Sequence, residues 1–252
     1  MLTKNQEKLV RSLSVRKNRR KLGLFVAEGM KLTRDFLKSG LKPHLIFLDE
    51  HSDEEFPLAY VERISTVEMG RLTFLDSPSP VLAVFEIPDA RPEGFEESSM
   101  VLMLDRVQDP GNVGTLLRSA LWYGVKHVAL VTGTTDVWSP KVVQASMGAL
   151  AHVNVWSQDE AEWLQWAQGT DRAIVVADMG GPSVRTLNWP PKILLVLGNE
   201  GQGVSEAFKK AASAIATLPS AGAEMESLNV ATSGSTLLYE FAVSANGPCN
   251  GG

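Results

Sequence analysis

The sequence predicts an α/β protein with a C-terminal domain on a mostly parallel β-sheet, preceded by a small α/β domain. Predicted strands and helices alternate regularly from residue 100 to residue 244, which is typical of a parallel sheet covered by helices. Residues 101–104 and 193–197 are continuous apolar runs, as expected of strands buried on both faces. Residues 88–99 are rich in Pro, Gly and charge without periodicity, which indicates a domain boundary. We predict domains at residues 1–96 and 97–246 and a flexible tail at 247–252.

Each predicted element follows from the spacing of apolar residues and from turn residues. In the N-terminal domain, we predict strands at 22–28, 44–48, 61–64 and 81–87, helices at 3–14, 29–40 and 66–74, and a basic connector at 14–21. In the C-terminal domain, we predict strands at 100–104, 126–132, 153–156, 172–177, 193–198 and 214–218, and helices at 112–123, 140–150, 159–168, 204–212 and 228–244. The last helix is rich in Gly, Ser and Thr, which predicts close packing against another backbone of this chain or of a partner subunit.

The composition is that of a globular protein, with 252 residues of which 44% are hydrophobic and 21% charged. The chain has no run of about 18 apolar residues and no apolar signal region, so we expect a soluble cytoplasmic protein. We assign no chemistry to the single cysteine, Cys249, because it lies in a Gly-rich tail. The four histidines lack partners at zinc-ligand spacing, so we expect no metal site.

Positive charge is concentrated at the N-terminus. Residues 1–34 contain ten Lys and Arg against Glu7 and Glu28, a net charge of +8, whereas the whole chain carries −5. Such a basic arm on an acidic body suits contact with phosphates, although a solvated helix end explains the charge equally well. The candidate RNA-binding residues of this arm are Arg16, Lys17, Arg19, Arg20 and Lys21.

A glycine-rich loop follows the apolar strand that ends near residue 198. Gly198, Gly201 and Gly203 permit positive φ and let backbone amides approach a ligand. Their G-x-x-G-x-G spacing differs from the dinucleotide-binding fingerprint, and the loop lacks the Lys of a P-loop. On its own, the loop is either a cofactor cradle or a tight turn without a ligand.

Two further loops follow predicted strands and precede helices. In the first, Asn112 is the expected helix cap, and Arg118 lies off the apolar stripe, where it points either to solvent or across a cleft. In the other, Ser227 and Asn229 are both candidate caps. Because ligands of parallel sheets bind at the carboxyl ends of the strands, we expect the functional site at these loops.

Together the three loops resemble the SpoU (TrmH-like) ribose 2′-O-methyltransferases of the SPOUT superfamily. The resemblance rests on N-x-G-x-x-x-R-S-A at 112–120, L-G-N-E-G-Q-G-V-S at 197–205, and a loop at 219–230 that ends in Ser-Leu-Asn-Val, in the family's order. It covers residues 100–244. Residues 19–87, which include Phe-Val-Ala-Glu-Gly, resemble the RNA substrate-binding domain that often precedes this domain.

The resemblance implies a trefoil-knotted C-terminal domain, a homodimer packed through the knotted region, and S-adenosylmethionine as the cofactor. Physical rules would not predict the knot, because chains normally do not thread loops. Ser146 and Gly148 are expected to pack near the sheet. The implied cofactor-binding residues are Val176, Ala177, Asp178, Leu197, Gly198, Asn199, Gly201, Leu218, Pro219, Leu228 and Asn229.

The family resemblance assigns Arg118 to the ribose 2′-hydroxyl that accepts the methyl group. Because arginine stays protonated, we expect Arg118 to stabilise the alkoxide and to clamp the adjacent phosphate rather than to act as a base. Asn112, Glu200, Ser227 and Asn229 would orient Arg118 and the cofactor, with Glu200 as the partner of Arg118. Water, Glu200 or a phosphate oxygen would take the proton.

The domain layout favours ribosomal RNA as the substrate, with tRNA as the alternative. Two other function classes remain. A non-catalytic RNA-binding protein of the same fold is disfavoured because all five proposed catalytic residues are present. A generic nucleotide-dependent enzyme is disfavoured by the missing P-loop and dinucleotide motifs.

Overall fold

The structure is a computed structural model that describes residues 1–88, 92–222 and 227–246. Cys249, the predicted tail and part of the predicted domain boundary lie outside these residues. Contacts between Cα atoms divide the chain into two compact units: unit 1 is Met1–Ala90 with Asp136–His152, and unit 2 is Arg91–Thr135 with Val153–Gly252. Residues 136–152 thus group with unit 1, although the predicted boundary placed them in the C-terminal domain.

Apart from a helix at Arg16–Leu22, which was not predicted, the regular elements follow the predicted order, with ends that differ by a few residues. The first eight are α1 (Lys4–Ser12), α2 (Arg16–Leu22), β1 (Leu24–Glu28), α3 (Met30–Lys38), β2 (Pro43–Asp49), β3 (Val61–Ile64), α4 (Thr66–Leu72) and β4 (Val81–Glu86). The others are β5 (Met100–Asp105), α5 (Pro110–Trp122), β6 (His127–Val131), α6 (Pro140–Ala145), β7 (Asn154–Gln158), α7 (Glu160–Gly169), β8 (Ala173–Ala177), β9 (Ile193–Gly198), α8 (Glu206–Ala211), β10 (Ala214–Ala216) and α9 (Val230–Asn246). Among the described residues, none of these helices is long and apolar enough to cross a membrane.

Unit 1 contains a four-stranded sheet in the order β1-β4-β2-β3. β4 runs antiparallel to both of its neighbours, and β3 runs parallel to β2. Two helices supply apolar side chains to one core cluster, in which Val10 from α1 and Met69 from α4 meet Phe47 and Val84 from the sheet. The predicted small α/β domain is therefore confirmed.

The prediction of a basic connector at 14–21 is wrong, because most of this segment forms helix α2. Gly23 caps the helix at its C-terminus with a φ of +65°. Arg19 in this helix is only 2% exposed. Its guanidinium forms an ion pair with Asp136 at 2.6 Å and donates hydrogen bonds to the carbonyls of Leu13 and Ser14. Arg19 is therefore a structural residue of unit 1, and its expected role in RNA binding is corrected.

The predicted helix at 140–150 is shorter in the structure. α6 ends at Ala145, and Met147 and Gly148 then adopt left-handed conformations, with φ of +49° and +92°. Ser146 is fully buried, and its hydroxyl donates to the carbonyl of Val143. Gly148 lies against Asp35, whose carboxylate would be 2.4 Å from a Cβ atom at position 148. The turn after Ala145 therefore needs glycine at position 148.

Unit 2 contains a six-stranded sheet in the order β10-β8-β9-β5-β6-β7, and every pair of neighbours is parallel. Side chains alternate across the central strands: Val101 and Leu194 join a buried cluster with Trp163 of α7 and Phe208 of α8. This arrangement confirms the predicted mostly parallel sheet and places the carboxyl ends of β8, β9 and β5 side by side.

Helix α9 packs closely against α5 and β9. A Cβ atom at Gly234 would lie 2.5 Å from side-chain carbons of Leu116 and Leu197. The hydroxyls of Ser119 and Ser235 are hydrogen-bonded at 2.6 Å between the two helices. The predicted close packing of this Gly- and Ser-rich helix is confirmed within the chain.

Replacing Arg19 by Met should lower the free energy of unfolding by about 3 kcal/mol, because Asp136 would keep a largely buried charge without its partner. Arg20→Met removes the same charge from an exposed neighbour and should change stability by less than about 0.5 kcal/mol. Urea unfolding of both variants measures the difference. Equal stability of the two would contradict the structural role of Arg19.

Candidate functional site

A cleft of about 710 Å³ opens in unit 2 at the carboxyl ends of β8, β9 and β10. Its walls are the loops that follow these strands and the beginning of α9. Sites for small molecules and cofactors typically have about 300–1,000 Å³ and are mostly apolar with a few polar groups. The cleft has the size and position of such a site.

The glycine-rich loop forms one wall of the cleft, and Asn199 holds its shape. The backbones of Asn199 and Gly203 exchange two hydrogen bonds of 3.0 and 2.9 Å. The side-chain oxygen of Asn199 accepts from the amides of Gly201 and Gln202, and its amide nitrogen donates to the carbonyl of Arg106 at 2.8 Å. The loop is therefore fixed by its own amide side chain.

The three glycines of this loop have different tasks. Only Gly203 has a positive φ, of +70°. A Cβ atom at Gly198 would lie 2.2 Å from the backbone of Gly203 and Val204, so the tight turn itself excludes a side chain there. At Gly201 the nearest atom would be 3.7 Å away, which is ordinary van der Waals contact. The turn therefore does not require glycine at position 201, and the missing side chain leaves room at this wall of the cleft.

Asn112 does not cap α5, and this prediction is corrected. α5 begins at Pro110, and the Asp109 side chain accepts from the backbone amide of Asn112 at 2.8 Å. Proline suits the first helical position because its missing N–H needs no partner there. The Asn112 side chain is thus released for other contacts: its nitrogen donates to Glu200 and its oxygen accepts from Asn229, both at 3.0 Å.

Glu200 receives three hydrogen bonds from the loop and helix that follow β5. The donors are the backbone amides of Gln108 and Asp109, at 3.0 and 3.1 Å, and the side chain of Asn112. Burial raises the pKa of Glu200, but the bonds from Asn112 and these amides outweigh it, so its pKa lies below the ordinary value. Glu200 is therefore a charged acceptor at neutral pH and a poor proton acceptor.

Asn229 caps α9. Its side-chain oxygen accepts from the amides of Ala231 and Thr232 at 2.9 and 3.2 Å, while its nitrogen donates to Asn112. Ser227, the other candidate cap, lies outside the helix and lines the cleft. Glu200, Asn112 and Asn229 thus join all three predicted loops in one hydrogen-bonded chain.

Arg118 is exposed on α5 and does not line the cleft. The expected pairing with Glu200 is wrong for the described chain, because the partners of that carboxylate are Asn112 and the amides of Gln108 and Asp109. Arg118 lies six residues after Asn112, nearly two helical turns along α5, which separates it from the network at the helix N-terminus.

Ten of the eleven predicted cofactor-binding residues line the cleft. The exception is Val176, which is fully buried in the core because its side chain points from β8 into the sheet packing. The ten are Ala177, Asp178, Leu197, Gly198, Asn199, Gly201, Leu218, Pro219, Leu228 and Asn229. Residues that line the cleft without having been predicted include Met179, Gln202, Lys209, Ser233 and Leu237. The i, i+4 spacing of Ser233 and Leu237 is a signal that places them on one face of α9.

The remaining predicted RNA-binding residues lie on α2 of unit 1. Lys17, Arg20 and Lys21 are exposed, and Arg16 is partly buried. The charges of Lys17, Arg20 and Lys21 face solvent, whereas the Nε of Arg16 is buried and Arg19 is paired with Asp136.

Comparisons with known proteins give the chain relatives over nearly its whole length. Residues 99–239 match the SpoU rRNA Methylase family, and residues 4–83 match the MRM3-like substrate binding domain. The chain is 30% identical over 246 residues to the 23S rRNA (guanosine(2553)-2′-O)-methyltransferase RlmP of Bacillus subtilis, which covers 94% of this chain and 96% of that protein.

Two solved structures are also similar. A protein of Porphyromonas gingivalis assigned to the TrmH family of RNA methyltransferases superposes with a TM-score of 0.86 at 36% identity, covering 96% of this chain and 98% of that one. The AdoMet-bound rRNA methyltransferase of Sinorhizobium meliloti superposes with a TM-score of 0.85 at 27% identity, covering 98% and 97%.

Replacing Glu200 by Gln removes the charge that three donors share. Because this side chain is partly exposed, we expect the free energy of unfolding to fall by only about 1 kcal/mol near neutral pH. The folded state lowers the pKa of Glu200, so this stabilisation is present above the unfolded-state pKa and is lost as the pH falls through the folded-state pKa.

Urea unfolding between about pH 7 and about pH 3 checks this dependence. Glu55→Gln, at an exposed carboxylate, is the matched control. A stability difference between wild type and Glu200→Gln that stays constant as the pH falls would show that the charge of Glu200 has no part in it.

Proposed function

Since the chain belongs to the SpoU rRNA methylase family, we propose that it transfers a methyl group from S-adenosylmethionine to the 2′-hydroxyl of a ribose in ribosomal RNA. The family resemblance of the three motifs, and that of the front domain, are confirmed by the matches. The observation that carries the proposed site is the hydrogen-bonded chain from Glu200 through Asn112 to Asn229, which joins the three motif loops beside the cleft.

The residues of the cleft suit S-adenosylmethionine. Leu197, Leu218 and Leu228 give an apolar lining that suits the adenine ring, and the missing side chain at Gly201 leaves room for a ligand beside the turn. When bound, S-adenosylmethionine would supply a methyl group, whose bond to sulfur breaks as its bond to the ribose oxygen forms, while water or a phosphate oxygen takes the hydroxyl proton. The predicted contacts of the cofactor remain part of the proposal.

The protein's own part in the reaction is to align the two reactants and to ease the loss of the hydroxyl proton. Glu200 does not take this proton, because its low pKa and three donors keep it an anchored carboxylate. Its role is to hold the loop after β5 and, through Asn112, the start of α9. Arg118 stabilises the negative charge that develops on the ribose oxygen, since a guanidinium remains positively charged.

We further propose that the enzyme acts as a homodimer packed through its C-terminal domain, in which the trefoil knot implied by the family resemblance remains a prediction. Trp122 on α5 is 83% exposed and Tyr239 on α9 is 48% exposed, although aromatic side chains of this size are usually buried. Trp122 and Arg118 are four residues apart and share one face of α5. A second copy of the chain that covers Trp122 therefore also lies beside Arg118. This contact is outside the cleft of the chain to which Arg118 belongs.

We infer that the exposed cations of α2 contact the phosphates of a structured RNA substrate. Lys17, Arg20 and Lys21 have the charge and exposure needed to contact phosphates. This contact is sequence-independent, so it does not select a nucleotide. The cytoplasmic location expected from the sequence remains a prediction.

Replacing Arg118 by Ala should slow methyl transfer about 100-fold or more, because the charge on the ribose oxygen loses its stabilising group. The affinity for S-adenosylmethionine should stay within about twofold, since Arg118 does not line the cleft. Single-turnover transfer to ribosomal RNA and calorimetry measure the two quantities.

Lys126→Ala, at an exposed cation of the same unit, is the control. Near-normal transfer by Arg118→Ala with intact cofactor binding would remove Arg118 from the mechanism. A wild-type protein that binds the cofactor but transfers no methyl group to RNA would instead favour the non-catalytic alternative.

Sedimentation analysis tests the homodimer. The wild type should sediment as a dimer and Trp122→Glu as a monomer, because a buried charge at the interface is costly. Val67→Glu changes an exposed apolar residue of unit 1 and should leave the dimer intact. A monomeric wild type at micromolar concentration contradicts the proposed assembly.

A further inference from the structure

An ion pair lies on the wall of the cleft. Lys209 of α8 places its ammonium 2.8 Å from a carboxylate oxygen of Asp178, which follows β8. Both residues line the cleft, and their side chains are 35% and 36% exposed. Ion pairs that are as exposed as this one contribute little to the free energy of unfolding. The two charges are therefore available to a ligand.

The carboxylate of Asp178 is held in place, whereas Lys209 is adaptable. The other side-chain oxygen of Asp178 accepts from the amide of Met179 at 2.7 Å, and its carbonyl accepts from the hydroxyl of Thr217 at 2.6 Å. Lys209 reaches the cleft on a flexible four-carbon stem. The hydrogen bond between them lowers the pKa of Asp178 and raises that of Lys209, so both are charged at neutral pH.

The methionine end of S-adenosylmethionine is a zwitterion with one carboxylate and one ammonium group. An ion pair is complementary to a zwitterion, because each of its charges can take the opposite charge of the ligand while the pair itself stays close. Both charges are needed for this match, because a single charge would attract one charged group of the zwitterion and repel the other.

We propose that Lys209 binds the carboxylate and Asp178 the ammonium of the methionine part of S-adenosylmethionine. This inference rests on the proposed function, because it takes the cleft as the cofactor site. It adds Lys209 as a cofactor-binding residue and gives the Asp178 side chain a role in addition to that of its backbone. The apolar lining around Leu197, Leu218 and Leu228 is then left for the adenosine part.

Calorimetric binding of two related ligands tests the assignment. S-adenosylhomocysteine carries the amino-acid group, and 5′-methylthioadenosine has the same adenosine and sulfur without it. Lys209→Met and Asp178→Asn should each weaken binding of S-adenosylhomocysteine about tenfold, as expected for the loss of one charge-assisted hydrogen bond. Binding of 5′-methylthioadenosine should change by less than about twofold.

Lys210→Met is the matched control, because Lys210 is the exposed neighbour of Lys209 on α8 and does not line the cleft. It should leave both affinities unchanged. Unchanged binding of S-adenosylhomocysteine by Lys209→Met or by Asp178→Asn overturns the proposal. An equal loss with both ligands also overturns it, because the substituted side chain would then act on the adenosine part that the two ligands share. If the wild type binds neither ligand, the cleft is not the cofactor site and the proposed function itself fails.

Discussion

The carboxylate of Glu200 is the group on which the geometry of the site depends. It follows β9 and accepts from two backbone amides and one side chain of the segment after β5. Through Asn112 the same network reaches Asn229 at the start of α9. The network thereby joins three segments that are distant in sequence. The partial exposure of Glu200 means that each bond is weak in water, so the number of bonds rather than any single one fixes the loops.

The sheet of unit 2 makes this network possible. Because β8, β9 and β5 are parallel neighbours, their carboxyl ends lie at one edge, and each loop begins from a rigid buried strand. Gly198 and Gly234 then allow close approach, the first within the turn and the second where α9 meets Leu116 and Leu197. Beside the cleft, the described segments around Glu200, Asn112 and Asn229 are held by hydrogen bonds, which is the preorganisation that alignment of two reactants requires.

Much of the fold and ten of the residues that line the cleft were predictable, because apolar runs mark the strands and ligands of parallel sheets bind at strand ends. The failures share a physical cause: they depend on tertiary contacts that a local pattern does not contain. In the sequence Arg19 does not differ from its cationic neighbours, but in the structure it is buried and paired with Asp136, which is more than a hundred residues away. The sequence pattern predicts Asn112 as the N-cap of α5, but the helix begins earlier, at Pro110, with Asp109 as its cap. Val176 differs from Ala177 only in the face of β8 on which it lies, and Lys209 gains its partner only when α8 folds beside β8.

The central claim is that this cleft delivers a methyl group to a ribose 2′-hydroxyl of ribosomal RNA. The most direct test incubates the protein with S-adenosylmethionine labelled in its methyl group and with ribosomal RNA or tRNA, followed by complete alkaline hydrolysis. Alkaline cleavage needs a free 2′-hydroxyl, so a 2′-O-methylated nucleotide remains joined to its neighbour. The account predicts label in alkali-resistant dinucleotides from ribosomal RNA. Label only in mononucleotides, label only from tRNA, or no transfer to either RNA would contradict it.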